Sequence, residues 1–236
     1  MISNELDTDN LKGVIEQLIK TSSRINESKS RRYWYPLSIA SYGIEEILEA
    51  IDSMCSFRTT MWEKTIEFES KFTNFQGSKD SVMVNSGSSA DLLLCFLLNN
   101  PLNTLVESDK EILVPVVTWP TQIWSILMAG YKVRLVDIDP HTLNIDINDL
   151  KNKITPNTKA IFVVHVMGNP CDMNQICDIA KTNNLIIIED CCEALGAKWD
   201  GENVGNFGLA ASYSFFFSHH ITTMEGGMIA CSSNEV

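Results

Sequence analysis

The run Leu185-Ile186-Ile187-Ile188-Glu189-Asp190 decides how this chain is built. A strand with one face in water alternates apolar and polar residues. An unbroken aliphatic run closed by two acids instead reads as a parallel strand covered on both faces, with its carboxylates at the C-terminal end. Working outward, the helix Met173–Lys181 precedes it, and before that comes the strand Lys159–His165, closed by Met167-Gly168-Asn169-Pro170. Further strands are predicted at Tyr131–Ile138, Glu111–Pro115 and Ser81–Asn85, and downstream around Ser212 and after Gly226-Gly227. Helices separate most of them. The predicted architecture is α/β, a mostly parallel seven-stranded sheet between helical layers. Ligands of such sheets gather beyond the C-terminal strand ends.

Four places at those ends carry candidate chemistry. After the strand Ser81–Asn85, Ser86-Gly87-Ser88-Ser89-Ala90 opens a helix whose stripe is read as Leu92, Leu93, Cys95 and Phe96. Small hydroxyl residues at a strand-to-helix turn leave backbone N–H groups free where the helix dipole favours an anion, although Ser and Gly also make ordinary caps. Trp119 follows the strand Glu111–Pro115, a place where a tryptophan is most often core cover. Asp190 ends the buried run, and a carboxylate there needs a cationic partner or bears a large desolvation cost. Its plainer reading is a cap or an ion pair. Glu193 stands three residues on.

The fourth place is Ser212 to Gly227, Ser-Tyr-Ser-Phe-Phe-Phe-Ser-His-His-Ile-Thr-Thr-Met-Glu-Gly-Gly. It is read as a strand that breaks at His219-His220, which puts both histidines at an exposed strand end. A histidine pair is often a hydrogen-bonded loop feature or an adventitious metal contact. His165 is read as a hydrogen-bonded strand-end residue, and Asp139–Asp146 as a surface loop without chemistry.

Composition narrows the classes. The 236 residues are 44% hydrophobic and carry a net charge of −12, which argues against non-specific nucleic-acid binding and leaves an anionic ligand to local donors. The longest apolar run, Leu92–Leu98, is far too short to cross a bilayer, and the acidic start is unlike a signal peptide, so no membrane partner and a cytoplasmic location are expected. Seven cysteines, including the pair Cys191-Cys192, contain no CxxC spacing and suggest reduced core residues with no metal site. An amphipathic helix over Asn10–Ile25 is predicted to form an N-terminal arm, residues 1–36, ahead of one large domain, residues 37–236. The cluster Lys29-Ser30-Arg31-Arg32-Tyr33-Trp34-Tyr35-Pro36 suits a diphosphate and base clamp, or a solvated arm.

Ser214-Phe215-x-x-x-His219-His220-x-x-x-x-Glu225-Gly226-Gly227 resembles the cofactor-lysine segment of the DegT/DnrJ/EryC1/StrS sugar aminotransferases, which runs Ser-Phe-x-x-x-Lys and ends in Glu-Gly-Gly. His219 stands where that family carries its lysine. The resemblance runs from about Tyr35 onward and implies the large domain of fold-type I pyridoxal-phosphate (PLP) enzymes, with a smaller C-terminal domain following in relatives. It implies that Gly87, Ser88, Ser89 and Ser214 hold the cofactor phosphate, that Trp119 stacks on the ring, and that Asp190 holds the ring nitrogen. An imidazole can take a proton but cannot hold the cofactor covalently as lysine does. His219 therefore implies a dehydratase branch, with Glu193 as a second acid or base. The cofactor would cycle between PLP and pyridoxamine phosphate, with L-glutamate as amino donor and a nucleotide-linked 4-keto-6-deoxyhexose as substrate. A homodimer is implied as well. Cys192 matches the first cluster cysteine of an iron-sulfur branch of the same family, which stays open here, as do an ordinary aminotransferase and a non-catalytic remnant.

Overall fold

The computed structural model describes residues 8–28 and 42–232, with side chains described for 10–21 in the first stretch. The basic and aromatic cluster Lys29–Pro36 lies outside the described residues. The chain divides into two compact units, residues 1–62 and 63–236.

The first unit contains α1 (Thr8–Ser28) and α2 (Ile44–Cys55). Gly43 caps α2, its N–H donating to the Glu46 carboxylate at 2.6 Å in a capping-box arrangement. Of the apolar stripe read on α1, Ile15 is buried, while Val14, Leu18 and Ile19 are exposed.

The second unit is an α/β fold built on one seven-stranded sheet. Its strands are β1 (Asp80–Val84), β2 (Glu111–Pro115), β3 (Lys132–Val136), β4 (Thr158–Val164), β5 (Ile186–Asp190), β6 (Ala210–Ser214) and β7 (Gly227–Cys231). The spatial order is β1-β7-β6-β5-β4-β2-β3. Neighbours from β6 to β3 pair in parallel, whereas β7 runs against both β1 and β6. Six strands therefore end on one edge. The helices are α3 (Glu63–Gln76), α4 (Gly87–Leu98), α5 (Pro120–Met128), α6 (Ile147–Lys153) and α7 (Met173–Asn183).

The aliphatic runs are explained by burial on both sides. Ile112, Val114, Ala160, Phe162 and Ile188 pack with Leu94, Cys95 and Leu98 of α4 and Ile126 of α5. Their strand neighbours Leu113, Ile161, Val163 and Ile187 point the other way, into Leu150 of α6 and Met173, Ile176 and Ile179 of α7. Each fully buried aliphatic side chain contributes about 1.5–3 kcal/mol, which favours the unbroken aliphatic runs of β2, β4 and β5. A third cluster joins Phe72 of α3 to Ala211, Tyr213, Phe215, Met228 and Ala230.

Three readings are corrected. The buried face of α4 is Ala90, Asp91, Leu94, Cys95 and Leu98, not Leu92, Leu93, Cys95 and Phe96: Leu93 and Phe96 are exposed. The strand read over Tyr131–Ile138 shortens to β3, because Tyr131 turns inward to donate to the Val106 carbonyl at 3.0 Å and Ile138 makes only an isolated bridge to Ile145. β6 stops at Ser214. Beyond it the Phe215 N–H bonds the Gly226 carbonyl while the Phe215 carbonyl takes the Thr223 N–H, so His219 and His220 sit in a loop past the strand end.

Candidate active site

The strand ends converge on the first turn of α4. Ser86 is its N-cap, with an extended backbone and an Oγ that accepts the Ser89 N–H at 3.1 Å and donates to Ser89 Oγ at 3.1 Å. The N–H groups of Gly87 and Ser88 have no carbonyl within their own helix to donate to, and Ser88 is exposed. Gly87 is fixed by its neighbours: a Cβ there would stand 2.6 Å from Ser214 Cβ and 2.9 Å from Cys192 Sγ. The ends of β1, β5 and β6 thus close on one glycine, and Ser214 comes alongside Gly87 in the turn that carries Ser88 and Ser89. A helix N-terminus built this way can seat an anion. Burial and the nearby Asp190 charge push the Cys192 thiol up, so it keeps its proton at neutral pH.

Beneath the seat lies a buried polar network. Asp190 Oδ1 accepts the Cys192 N–H at 2.8 Å, and Asp190 Oδ2 accepts from the Gln122 amide. The same amide nitrogen donates to Asp91 Oδ2 at 3.2 Å, and Thr118 Oγ1 donates to Gln122 Oε1 at 2.9 Å. Asp91 also accepts from Thr121 Oγ1 at 2.9 Å and Ser212 Oγ at 2.6 Å. Burial, then the Asp190 charge, hold the Asp91 carboxyl well above the usual range, against its three donors. Burial also raises Asp190, opposed by the Cys192 amide and by His165 and reinforced by Glu193.

His219 is partly buried in the loop after β6, and its N–H donates to the Phe216 carbonyl at 3.0 Å. Burial lowers its pKa below the ordinary 6.5; the Glu193 charge acts in the opposite direction, and His220 adds to the lowering. Glu193 is exposed and held by one bond, from the Met167 N–H to its Oε2 at 3.0 Å. The Glu193 charge acts to raise the pKa of both His219 and Asp190. Trp119 caps α5 at the end of β2 and is 69% exposed. The Gln122 N–H donates to its carbonyl at 3.2 Å, so Trp119 is one helical turn from the Asp190 network.

His165 is a hydrogen-bonded residue just past the end of β4, as its position suggested. The Cys171 N–H donates to its Nδ1 at 3.0 Å, which leaves Nε2 to carry the proton donated to Glu189 at 3.1 Å. Glu189 in turn accepts the N–H groups of Gly205, Phe207 and Gly208.

Asp91 and Gln122 escaped sequence reasoning. A signal existed for Asp91, an acid in register with Leu94, Cys95 and Leu98 on an otherwise apolar helix face. Gln122 is one polar residue among several in α5, and nothing in its spacing marks it.

The family model for the DegT/DnrJ/EryC1/StrS aminotransferase family matches residues 41–236. GDP-4-keto-6-deoxy-D-mannose 3-dehydratase of Yersinia pseudotuberculosis is 40% identical over 202 residues, 86% of this chain and 51% of that protein. A solved Escherichia coli GDP-4-keto-6-deoxy-D-mannose-3-dehydratase with bound hydrated PLP superposes with a TM-score of 0.80 at 40% identity, covering 84% of this chain and 51% of the other. Another structure of a GDP-4-keto-6-deoxymannose-3-dehydratase, with a trapped PLP-glutamate geminal diamine, gives 0.79 at 39% identity, covering 84% and 52%. The chain spans about half the length of the curated relatives it matches.

Proposed function

We propose that this chain, which belongs to the DegT/DnrJ/EryC1/StrS aminotransferase family, carries the cofactor-binding part of a PLP-dependent 3-dehydratase. Its substrate is a nucleotide-linked 4-keto-6-deoxyhexose, GDP-4-keto-6-deoxy-D-mannose in the reading favoured by the 40% identical relatives, and L-glutamate is the amino donor. The observation that carries this is the imidazole of His219, within electrostatic reach of Glu193, on the sheet edge where Asp190 is buried.

The residues fit the cofactor. A buried carboxylate whose charge is disfavoured by its surroundings asks for a cationic partner, and a protonated pyridine nitrogen is one. The first turn of α4 offers an anion its free N–H groups, and the packed Gly87 leaves the backbone bare for close approach. In this reading Gly87, Ser88, Ser89 and Ser214 hold the phosphate, Trp119 covers the ring and Asp190 holds its nitrogen. When bound, the cofactor supplies an electron sink for carbon-bound electron pairs.

This chain's groups supply the proton handling. Because burial lowers the His219 pKa, its imidazole is largely neutral at physiological pH and free to take a proton on a ring nitrogen. The Glu193 carboxylate, fixed by the Met167 amide, stabilises the imidazolium that forms. An imidazole cannot replace lysine as a covalent tether, which turns the site from amino transfer toward loss of the C3 hydroxyl. The enzyme is read as a cytoplasmic homodimer; no helix among the described residues is long and apolar enough to cross a membrane.

The test is mass spectrometry of the products after incubating the protein with pyridoxal phosphate, L-glutamate and GDP-4-keto-6-deoxymannose. A 3-deoxy-4-keto sugar nucleotide with release of ammonia is expected. An amino sugar instead, or no binding of the cofactor, overturns the reading.

A further inference from the structure

Gln122 gives both protons of a single amide group to two different acids. Its Nε2 donates to Asp190 Oδ2 and, at 3.2 Å, to Asp91 Oδ2, and the Thr118 hydroxyl on Oε1 fixes which end of the amide faces the acids. Gln122 is 1% exposed and Asp91 1% exposed, so both are shielded from water.

Resting on the cofactor reading above, we propose that Gln122 is a positioning residue that clamps the Asp190 carboxylate for the pyridine nitrogen, with Asp91 as the second anchor of the clamp. With the Cys192 N–H on Oδ1 and the Gln122 amide on Oδ2, each Asp190 oxygen keeps a lone pair free for a further donor. The carboxylate cannot rotate without breaking one of these bonds. Asp91 holds the other side of the amide and is itself tied to α5 through Thr121 and to β6 through Ser212. Without the amide, two buried carboxyl groups would face one another with no donor between them, an arrangement in which one must keep its proton.

The other ionisable groups around Asp190 are His165 beyond β4, and Cys191, Cys192 and Glu193 beyond β5. His165 favours its charge, Glu193 opposes it, and the burial-raised Cys192 thiol stays neutral at physiological pH. None of these links Asp190 to Asp91 by hydrogen bonds; only Gln122 does so among the described residues.

The experiment follows the carboxyl carbons of Asp190 and Asp91 by 13C NMR across pH in the 236-residue protein without cofactor. Wild type, Gln122→Leu and Asp91→Asn are compared, and the same proteins are titrated with pyridoxal phosphate by absorbance. Asp91→Asn takes one anchor from the amide and should move the Asp190 midpoint to higher pH and weaken the cofactor, in both respects less than Gln122→Leu. Gln122→Leu should move it to higher pH and weaken the cofactor about tenfold or more. Unchanged Asp190 midpoints in both variants, with cofactor bound to wild type, overturn the clamp and leave the functional reading standing. If Gln122→Leu does not fold, the Asp91→Asn midpoint decides alone. Midpoints that move as stated in a wild-type protein that binds no pyridoxal phosphate sink the functional reading and the role of Gln122 toward the ring together.

Discussion

Gly227 presses on the backbone of Ser86: a Cβ on Gly227 would lie 2.3 Å from the Ser86 carbonyl carbon and 2.6 Å from the Gly87 nitrogen. The first residue of β7 thereby forms the floor under the first turn of α4, and Val84 of β1 pairs with it in the sheet. Backbone atoms of a capped helix cannot move aside as a flexible side chain would. Gly227→Ala should cost about 2–3 kcal/mol in urea unfolding and weaken binding of inorganic phosphate or pyridoxal phosphate. Unaltered unfolding would show that the seat yields more than its packing indicates.

A second expectation concerns the base. In the proposed reaction neutral imidazole is the active form of His219, so the normalised rate should rise with pH through a midpoint below the ordinary histidine value. Glu193→Gln removes a charge that raises the His219 pKa, so that midpoint should move lower still, alongside a loss of rate. A midpoint that moves up in Glu193→Gln would contradict the sign of the interaction. His219→Asn should lower turnover by about a thousandfold.

His219→Lys should restore a covalent hold. Borohydride treatment with pyridoxal phosphate, followed by peptide mass spectrometry, should label position 219 in this variant and leave the wild-type peptide unmodified, with dehydration lost. A label elsewhere in the wild-type chain would point to a different anchoring lysine.

Glu189 gives a stability prediction independent of the cofactor. Its Oε1 accepts from Phe207 and Gly208 at 2.9 and 2.7 Å, and its Oε2 accepts from Gly205 at 2.8 Å and faces His165 Nε2 at 3.1 Å. Glu189→Gln turns one of those oxygens into a donor against other donors. A loss of about 2–4 kcal/mol in chemical denaturation is expected, since the unmatched groups are buried.

At the far edge of the sheet, Arg134 of β3 pairs with Glu111 of β2 through two bonds at 3.0 and 2.8 Å, and Thr155 adds a third at 2.6 Å. The Arg134 bonds, then Thr155, hold the Glu111 carboxyl down to about 2 from its ordinary 4.5. A depressed carboxyl stabilises the fold above 4.5, and that contribution is lost as pH falls from 4.5 toward 2. Glu111→Gln should therefore flatten the acid limb of the stability profile, measured as the urea midpoint at successive pH values.

The sheet was legible because β2, β4 and β5 bury both faces, and no other demand on those residues competes with aliphatic character. Asp190 was legible for the complementary reason, as an acid that an aliphatic strand would otherwise exclude. The histidines stood out through their frame of Ser214, Phe215 and Glu225-Gly226-Gly227, but the end of β6 did not. Phe215 to Phe217 have strand-like composition, and only the backbone bonds of Phe215 to Thr223 and Gly226 bend the chain away. The phase of α4 was misread because nearly every residue from Leu92 to Leu98 is apolar, which leaves periodicity little contrast. Gln122 was invisible because a polar helical residue is ordinary on an outer face, and its inward turn depends on partners from three other parts of the chain.

The reversed strand β7 also sets when the site can come into being during synthesis. It wedges between β1 and β6, and its leading glycine underlies a turn made from residues emerging much earlier from the ribosome. Until β7 is translated and inserted, the nascent chain presents β1 and β6 as two open edges and the serine turn lacks its support. The serine turn therefore gains its floor only after β7 has been translated and inserted, long after the turn's own residues have left the ribosome.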